Sequence, residues 1–362
     1  MIARHRPTRS GPGSRRGEER GGELALLARI RARVAAAGSS RNVRLGIGDD
    51  CALVNVKAGE EIAVTTDLSI AGRHFELAWH PPEAIGHRVL ARGLSDLAAM
   101  GARPVAAFLS LGLPAALVKR TAFRGAKPEA SMQSSWVDRF YDGLLHLAGA
   151  FDTPLAGGDL AESPIAAADI VLLGAVRRGR ALLRSGARPG DSIYVTGSLG
   201  GAAAGLELMR ELATRKTGGA GRLRIPAKIE AALARQLYPQ PRVRQGLWLS
   251  KRGLATAAID LSDGLSTDLG HLCEESGVAA EVNENALPVS TGATLQQALH
   301  GGEDYELLFT AQPGARVPRT IAGVGVTRIG RVLKRSARRP LVTLATPEGR
   351  QALEAQGWEH FA

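Results

Sequence analysis

The residues best suited to chemistry in this chain are aspartates in short segments rich in glycine, serine and threonine. They occur in GIGDDC, TTD, LSDLAAMG, GGD and IDLSDG, and GGEDYE adds a further acidic turn. Several of these segments follow apolar runs that predict strands, and loops at strand ends are where reactive groups concentrate. Mg²⁺ prefers oxygen ligands and is commonly held by one or two carboxylates together with substrate phosphates. The pattern therefore predicts an acidic site that binds Mg²⁺.

Each acidic segment also has a simpler structural interpretation. A lone Asp-Gly pair is usually a turn, and a lone Ser-x-x-Asp is often a helix cap. The number of such segments in one chain favours the metal site over this alternative. Other catalytic patterns are missing from the sequence, which has no GxxxxGKS/T phosphate loop, no GxGxxG after a strand, and no HExxH, GxSxG or protein-kinase motif.

The elements that must position these aspartates alternate between strands and helices. Apolar spacing predicts helices at 22–37, 83–100, 135–149, 201–214 and from Leu265 through Glu275, and strands at 61–66, 104–113, 168–176, 192–196, 255–260 and 305–310. Asp67 and Asp260 lie at the ends of two predicted strands, and Asp96 lies in a predicted helix. The alternation predicts α/β or α+β layers. The Gly/Pro-punctuated stretch Arg184–Asp191 places a domain boundary near residue 180.

The basic charge of the chain has a different distribution from the acidic segments. The formal net charge is +11, from 46 Lys+Arg against 35 Asp+Glu. Residues 1–20 contribute +4 and residues 115–130 contribute +3, which leaves +4 for the rest of the chain. We therefore predict a disordered basic tail over 1–21, an insertion loop over 115–130, and no specific nucleic-acid partner. The alternative is a nucleic-acid-binding protein whose tail contacts a polyanion.

Composition indicates an ordinary globular protein. Hydrophobic residues make up 44% of the 362 residues, enough for a large core. The sequence has no run of roughly 18 apolar residues, and its N-terminus lacks the apolar centre of a secretory signal. The two cysteines, Cys51 and Cys273, give no disulfide framework or zinc motif and are predicted to be small buried residues. We predict a cytoplasmic protein with no membrane association.

Taken together, the motifs resemble those of the thiamine-monophosphate kinases, members of the aminoimidazole ribonucleotide synthetase-like superfamily. The strings that carry the resemblance run in order from about Gly22 to the C-terminus and include GIGDDCAL, LSDLAAMGARP, RSGARPGDSIYVTGSLGG, AIDLSDGLSTDLGHLCEESG, GGEDYELLFT and GWEHF. The resemblance implies ATP-dependent phosphorylation of thiamine monophosphate to thiamine diphosphate with several Mg²⁺ ions. It also implies a two-domain fold and a homodimer whose N-terminal domains pair into a shared barrel. The ATP- and Mg²⁺-binding dimerisation domain would span 22–180, and a C-terminal α/β domain would span 181–362.

The resemblance also assigns roles to individual residues, motif by motif. It implies metal ligands at Asp50, Thr65, Thr66, Asp67, Asp96, Asp159, Asp260 and Asp263. It implies ATP contacts at Gly158, Arg184 and Ser262, and thiamine phosphate contacts at His74, Glu303 and Trp358. No residue is assigned as a catalytic acid or base, because the phosphate that attacks ATP is already anionic near neutral pH.

The sequence departs from the family pattern at a few positions. Leu68 stands where a Thr usually follows TTD, and Leu160-Ala161 follow GGD where Thr-Thr is usual. Arg92-Gly93 precede LSD where Val-Asn is common. A sister enzyme of the same fold is the nearest alternative. The sequence lacks the early reactive Cys of selenophosphate synthetases and the terminal Cys of the hydrogenase-maturation relatives, and GGEDYEL and GWEHF disfavour aminoimidazole ribonucleotide synthetase.

Overall fold

The computed structural model describes residues 23–38, 40–47, 51–118, 135–214 and 233–358. The predicted tail over 1–21, most of the predicted insertion over 115–130, and Asp50 lie outside these ranges. Among the described helices, none is both long enough and apolar enough to cross a membrane.

The first half of the chain builds a four-stranded sheet with helices on one face. Its elements are α1 (Glu23–Ala36), β1 (Val43–Leu45), β2 (Leu53–Val54), β3 (Glu60–Ile70), α2 (Pro82–Ala99), β4 (Arg103–Leu113), α3 (Ala115–Val118), α4 (Trp136–Ala150), β5 (Leu155–Glu162) and β6 (Ala167–Arg177). The strand order is β3-β6-β4-β5, and only the β4–β5 pair is parallel. The short strands β1 and β2 form a separate antiparallel pair.

The second half builds an eight-stranded, mostly antiparallel sheet. Its elements are β7 (Ser192–Thr196), α5 (Gly201–Thr214), α6 (Val243–Arg252), β8 (Ala257–Asp260), α7 (Leu265–Ser276), β9 (Val278–Asn283), a 3-10 turn (Glu284–Ala286), α8 (Leu295–His300), β10 (Leu307–Ala311), β11 (Thr320–Ile321), β12 (Val324–Lys334), β13 (Val342–Thr346) and β14 (Gly349–Ala352). The strand order is β14-β13-β9-β12-β7-β10-β8, with β11 paired to β12. The two sheets with their helices make a mixed α/β fold.

Most predicted elements are confirmed, with shifted ends. The strand predicted at 61–66 continues to Ile70, so Asp67 lies inside β3 and not after it. The strand predicted at 305–310 begins only at Leu307, because Glu303 and Tyr305 adopt left-handed φ values of 66° and 50° in the preceding turn. The prediction that Cys51 is buried is wrong. Cys51 is exposed, whereas Cys273 is buried as predicted.

Helix α2 is the element that joins the two halves. Pro82 occupies its first turn, where a missing N–H costs nothing, and Gly101 follows its last turn with a φ of 62°. Most of its side chains are buried, because it packs on the four-stranded sheet, on α4 and on α6. At the contact with α6, a Cβ added to Gly246 would lie 2.0 Å from the Ala98 carbonyl oxygen. A side chain at Gly246 would therefore force α2 away from the second half.

The contact between α2 and α4 depends on glycine on both sides. A Cβ added to Gly143 would lie 1.9 Å from the Glu83 carbonyl oxygen, and one added to Gly86 would lie 1.9 Å from the Phe140 carbonyl oxygen. Such distances require the helices to move apart, because both atoms that would be struck belong to the backbone.

We therefore expect Gly143→Ala to lower the free energy of unfolding by about 1–3 kcal/mol or more, the usual cost of overpacking. Gly149→Ala in the same helix is the matched control, since a Cβ there has no atom within 4 Å. Denaturant unfolding of both variants measures the difference. Equal stabilities for the two variants would show that the close contact between α2 and α4 is not formed.

Candidate active site

One face of α2 forms the base of the candidate site. Arg88, Arg92 and Asp96 are spaced four residues apart and therefore lie on the same side of the helix. This side faces a cavity of about 590 Å³ whose wall includes Arg92 and Asp96 together with residues of both halves of the chain. The cavity is large enough for a small organic ligand.

Three predicted aspartates come together in the cavity wall. Asp67 comes from β3, Asp96 from α2, and Asp260 from the last position of β8. All three line the cavity wall. Because the side chains alternate along β3, Thr65 and Asp67 share the strand face that lies over α2. We call Asp67, Asp96 and Asp260 the aspartate cluster.

Each aspartate of the cluster is held through one carboxylate oxygen. Arg92 donates through Nε and Nη2 to Oδ1 of Asp67, at 3.2 and 3.0 Å. The Thr65 hydroxyl donates to Oδ2 of Asp96, and the Ser95 hydroxyl donates to Oδ2 of Asp260 at 2.6 Å. Within the described residues, Oδ2 of Asp67 and Oδ1 of Asp96 receive no hydrogen bond. These two oxygens are available to a ligand.

The cluster is short of positive charge. Burial, together with the nearby Asp260 and Asp67 carboxylates, raises the pKa of Asp96 to about 7, although the hydrogen bond from Thr65 acts in the opposite direction. Burial also raises the pKa of Asp260, although its bond from Ser95 and the charge of Arg184 act in the opposite direction. Ionising both Asp96 and Asp260 is therefore unfavourable until a cation is supplied.

The donor chemistry of the cluster fits Mg²⁺, which coordinates oxygen and usually retains waters or substrate phosphates. Among the residues that the structure describes, no three His, Cys, Asp or Glu side chains converge closely enough to hold a metal ion by themselves. An ion at the aspartate cluster would thus take only part of its coordination from the three aspartates. The rest would come from water, from phosphate oxygens or from residues outside the described ranges.

Glu303, which also lines the cavity, is half-buried and is held by a hydrogen-bond network. Arg88 donates through Nη2 to Oε1 of Glu303 at 2.7 Å, and Gln236 donates through Nε2 to Oε2 at 3.3 Å. Burial alone would raise the pKa of Glu303, but Arg88 and these hydrogen bonds hold it below its usual value. Arg88 also donates to the carbonyl oxygens of Gln236 and His74, at 2.5 and 3.1 Å. This one guanidinium thus joins α2, the segment at Gln236 and the turn that carries Glu303.

The loop after β8 places Ser262 and Asp263 in the cavity wall. Oδ2 of Asp268 accepts the backbone N–H groups of Ser262, Asp263 and Gly264 at 3.0–3.1 Å, which fixes the loop from beneath. The Trp358 backbone N–H donates to the Asp263 carbonyl oxygen at 3.2 Å. This bond brings the half-exposed Trp358 indole to the rim of the same cavity.

Four other predicted residues, Thr66, Gly158, Asp159 and Arg184, are not brought to this cavity. The Thr66 side chain is exposed on the face of β3 opposite Thr65 and Asp67. Gly158 and Asp159 lie on β5, at the other edge of the sheet. One row of partners runs from Asp67 through β6 and β4 to Gly158, so three strand spacings of about 4.8 Å separate β3 from β5. Arg184 is exposed outside the cavity lining but close enough to Asp260 to affect its pKa.

The structure also adds residues that the sequence analysis did not select. Arg92 lines the cavity, and Arg88 supports its wall by bonding Glu303. Both could have been found from Asp96, because positions four and eight residues earlier in a helix lie on the same face. Tyr305 could have been suspected from its place in the GGEDYE turn. His80 and Gln236 line the cavity without any motif that marks them.

Comparison with known proteins is consistent with this architecture. The AIR synthase related protein N-terminal domain matches residues 48–176, and the corresponding C-terminal domain matches residues 188–340. A thiamine-monophosphate kinase from Salmonella typhimurium is 38% identical over 355 residues, covering 94% of this chain and 98% of the relative.

Solved structures of such enzymes are similar along nearly the whole chain. The thiamine-monophosphate kinase from Stenotrophomonas maltophilia K279a is 36% identical with a TM-score of 0.70, covering 89% of this chain and 96% of that one. AaThiL in complex with AMPPCP and TMP is 30% identical with a TM-score of 0.68, covering 96% of this chain and 100% of that one. The chain therefore belongs to the AIR synthase related family and, within it, to the thiamine-monophosphate kinases.

Proposed function

We propose that the protein transfers the γ-phosphoryl group of ATP to thiamine monophosphate, giving thiamine diphosphate and ADP, the last step of thiamine diphosphate biosynthesis. The observation that carries the proposal is one cavity whose wall includes both the aspartate cluster and Glu303. The complex of AaThiL with AMPPCP and TMP supports the same pair of substrates. The proposal includes direct in-line transfer, without a covalent enzyme intermediate.

In this mechanism the protein chiefly positions two anions. Phosphoryl transfer requires alignment of the attacking and leaving oxygens and stabilisation of the charge on the transferring group. The thiamine phosphate oxygen is already anionic, so the chain need not supply a general base. Asp67, Asp96 and Asp260 would hold Mg²⁺, with the assigned residues Asp50, Thr65, Thr66, Asp159 and Asp263 as further proposed ligands. Bound Mg²⁺ supplies the positive charge that lets two highly charged phosphates approach.

The remaining assigned residues would bind the two substrates. Ser262, Gly158 and Arg184 are proposed to contact ATP, and His74, Glu303 and Trp358 to contact thiamine phosphate. Ser262 and the latter three line the cavity, which supports their assignment. The indole of Trp358 offers a face on which a cationic thiazolium ring can stack. Leu160 and Ala161, where the family usually has Thr-Thr, lie on the same edge strand as Gly158.

The direct test is to incubate the purified protein with ATP, Mg²⁺ and thiamine monophosphate and to measure thiamine diphosphate. We expect Mg²⁺-dependent product. Asp67→Asn should lower kcat/KM by about 10²-fold or more, because it removes one charge from the cluster. Asp142→Asn, an exposed aspartate on α4, is the control and should retain activity. Absence of product with the native protein would refute the proposed function, and an unchanged Asp67→Asn variant would refute the assignment of the cluster.

A second prediction concerns stability without metal. Asp96 keeps its proton in the folded state up to about pH 7, whereas an aspartate in the unfolded chain loses it near pH 4. The contribution of Asp96 to the free energy of unfolding therefore falls as the pH rises from about 4 to 7, because ionising Asp96 is harder in the folded state than in the unfolded chain. In EDTA, Asp96→Asn should melt above the native protein by about 2 °C or more at pH 8, with a smaller difference at pH 5.

The same pair of proteins tests metal binding by a thermal shift. Added Mg²⁺ should raise the Tm of the native protein at pH 8 more than that of Asp96→Asn, because a cation relieves the repulsion in the cluster. Equal shifts in the two proteins, or a less stable variant in EDTA, would contradict the proposed metal site.

We also propose a homodimer formed through the four-stranded sheet. The outer face of β3 exposes Ile62, Val64 and Leu68, with 55%, 60% and 50% of their surfaces accessible. Among the described strands, β3 has β6 as its only neighbour, so its other edge is open. An apolar face beside an open edge is suited to pairing with a second copy. Leu68, a departure from the family pattern, makes this face more apolar.

Val64→Glu should convert the dimer to a monomer in size-exclusion chromatography with light scattering, because it places a charge in the proposed interface. Leu183→Glu is the matched control, since Leu183 is 49% exposed but lies in the segment between the two sheets. A native protein that is monomeric at micromolar concentration, or a dimer that survives Val64→Glu, would contradict the proposal.

A further inference from the structure

Two buried polar atoms in the cavity wall have no hydrogen-bond partner among the described residues. They are Nε2 of His80 and Oε1 of Gln236. Both residues line the cavity, and their side chains are almost fully buried, with exposed fractions of 4% and 1%. A buried polar group without a partner is destabilising and uncommon in folded proteins, so such a pair calls for an explanation.

The hydrogen bonds of His80 determine what its unpartnered atom offers. Nδ1 accepts the backbone N–H of Glu76 at 3.0 Å, which places the proton of a neutral ring on Nε2. Burial lowers the pKa of His80 to about 4, and the positive charge of Arg88 acts in the same direction, so the ring is neutral at physiological pH. His80 therefore presents an N–H donor through Nε2.

The hydrogen bonds of Gln236 determine its unpartnered atom in the same way. An ionised carboxylate can only accept, so the amide nitrogen of Gln236 is the atom that faces Oε2 of Glu303. The amide oxygen is then left as an acceptor. Arg88 donates to the Gln236 backbone oxygen at 2.5 Å and so fixes this residue in the wall. Both side chains lie close to Glu303, since its charge also acts on His80.

A donor together with an acceptor matches the edge of an aminopyrimidine, where a ring nitrogen that accepts lies beside an exocyclic amine that donates. The neighbouring wall includes the aromatic side chains Trp79 and Phe75 and the apolar Leu206, which suit the faces of a flat ring. We propose that His80 and Gln236 read the aminopyrimidine ring of thiamine monophosphate, His80 donating to the ring nitrogen and Gln236 accepting from the amine. This inference rests on the proposed kinase function.

The assignment separates recognition from chemistry within one cavity. The aminopyrimidine edge would lie beside Glu303, whereas the phosphates would lie at the aspartate cluster. Loss of the donor at His80 should therefore affect substrate binding far more than the transfer step. The same donor and acceptor could also match the edge of adenine, which has the identical pattern of ring nitrogen and amine. The test must distinguish the two rings.

The experiment compares thiamine monophosphate with its 4-oxo analogue, oxythiamine monophosphate, whose edge has donor and acceptor exchanged. The native enzyme should have a KM at least about tenfold lower for thiamine monophosphate, since a site with buried polar groups discriminates against a mismatched partner. His80→Phe should raise the KM for thiamine monophosphate about tenfold and leave kcat within about threefold, so that most of the discrimination is lost.

His80→Gln keeps an N–H donor near the position of Nε2 and should retain most of the discrimination, which separates donor loss from altered packing. His146→Phe, at an exposed histidine on α4, is the control and should behave as the native enzyme does. The inference is overturned if His80→Phe raises the KM for both thiamine substrates equally, or if it changes neither.

The adenine alternative is tested with ATP and ITP, whose purine also has donor and acceptor exchanged. A His80→Phe variant that loses discrimination between ATP and ITP, with unchanged KM for thiamine monophosphate, would overturn the assignment to the thiamine ring. Failure of the proposed function itself is distinguishable from these results, because the native enzyme would then form no thiamine diphosphate at all.

Discussion

The site depends on three buried or half-buried carboxylates that are held close together. They come from β3, α2 and β8 and form the aspartate cluster in the cavity wall. Burial together with their mutual repulsion raises the pKa values of Asp96 and Asp260. Such an arrangement opposes folding, so other contacts must offset it. Glycines at the contacts of α2 with α4 and α6 let the helix backbones approach closely, so that α2 packs tightly against both halves of the chain.

Glu303 and the aspartate cluster differ in how their negative charges are balanced. Glu303 is half-buried with Arg88 and Gln236 as partners, and its pKa stays below the usual value, so its charge is satisfied by the chain itself. Among the described residues, Arg92 is the one guanidinium hydrogen-bonded to any of the three carboxylates of the aspartate cluster. The charge of Glu303 is thus balanced without a ligand, whereas the aspartate cluster calls for added cations. This difference is what a site needs if one part recognises a substrate and the other recruits metal with phosphates.

The sequence predicted the cluster because its aspartates belong to segments with a simple physical signal. Asp67 and Asp260 lie at or near strand ends, and Asp96 lies on a helix that continues to a glycine stop. The strand period of two could also have separated Thr66 from Thr65 and Asp67 onto the opposite face.

Residues far apart in sequence were not predictable in the same way. Gln236 reaches Glu303, 67 residues away in the chain, only through tertiary packing. The bond from Glu76 to His80 is local, but the burial of His80 in the cavity wall also comes from tertiary packing. No local pattern predicts that these two side chains line one cavity. The order of strands in the four-stranded sheet was equally hidden, and it is this order that leaves Asp159 at the edge away from Asp67.

The departure at Arg92 acquires a physical meaning from this geometry. Both of its hydrogen bonds to Asp67 go to the same oxygen, Oδ1. The guanidinium can therefore hold Asp67 in place and reduce the repulsion in the cluster, while Oδ2 stays open within the described residues. Thr65 donates only to Oδ2 of Asp96, so Oδ1 of Asp96 also stays open within the described residues. A carboxylate fixed through one oxygen is preorganised to offer the other, so the chain's own donors prepare the cluster for a cation without taking its place.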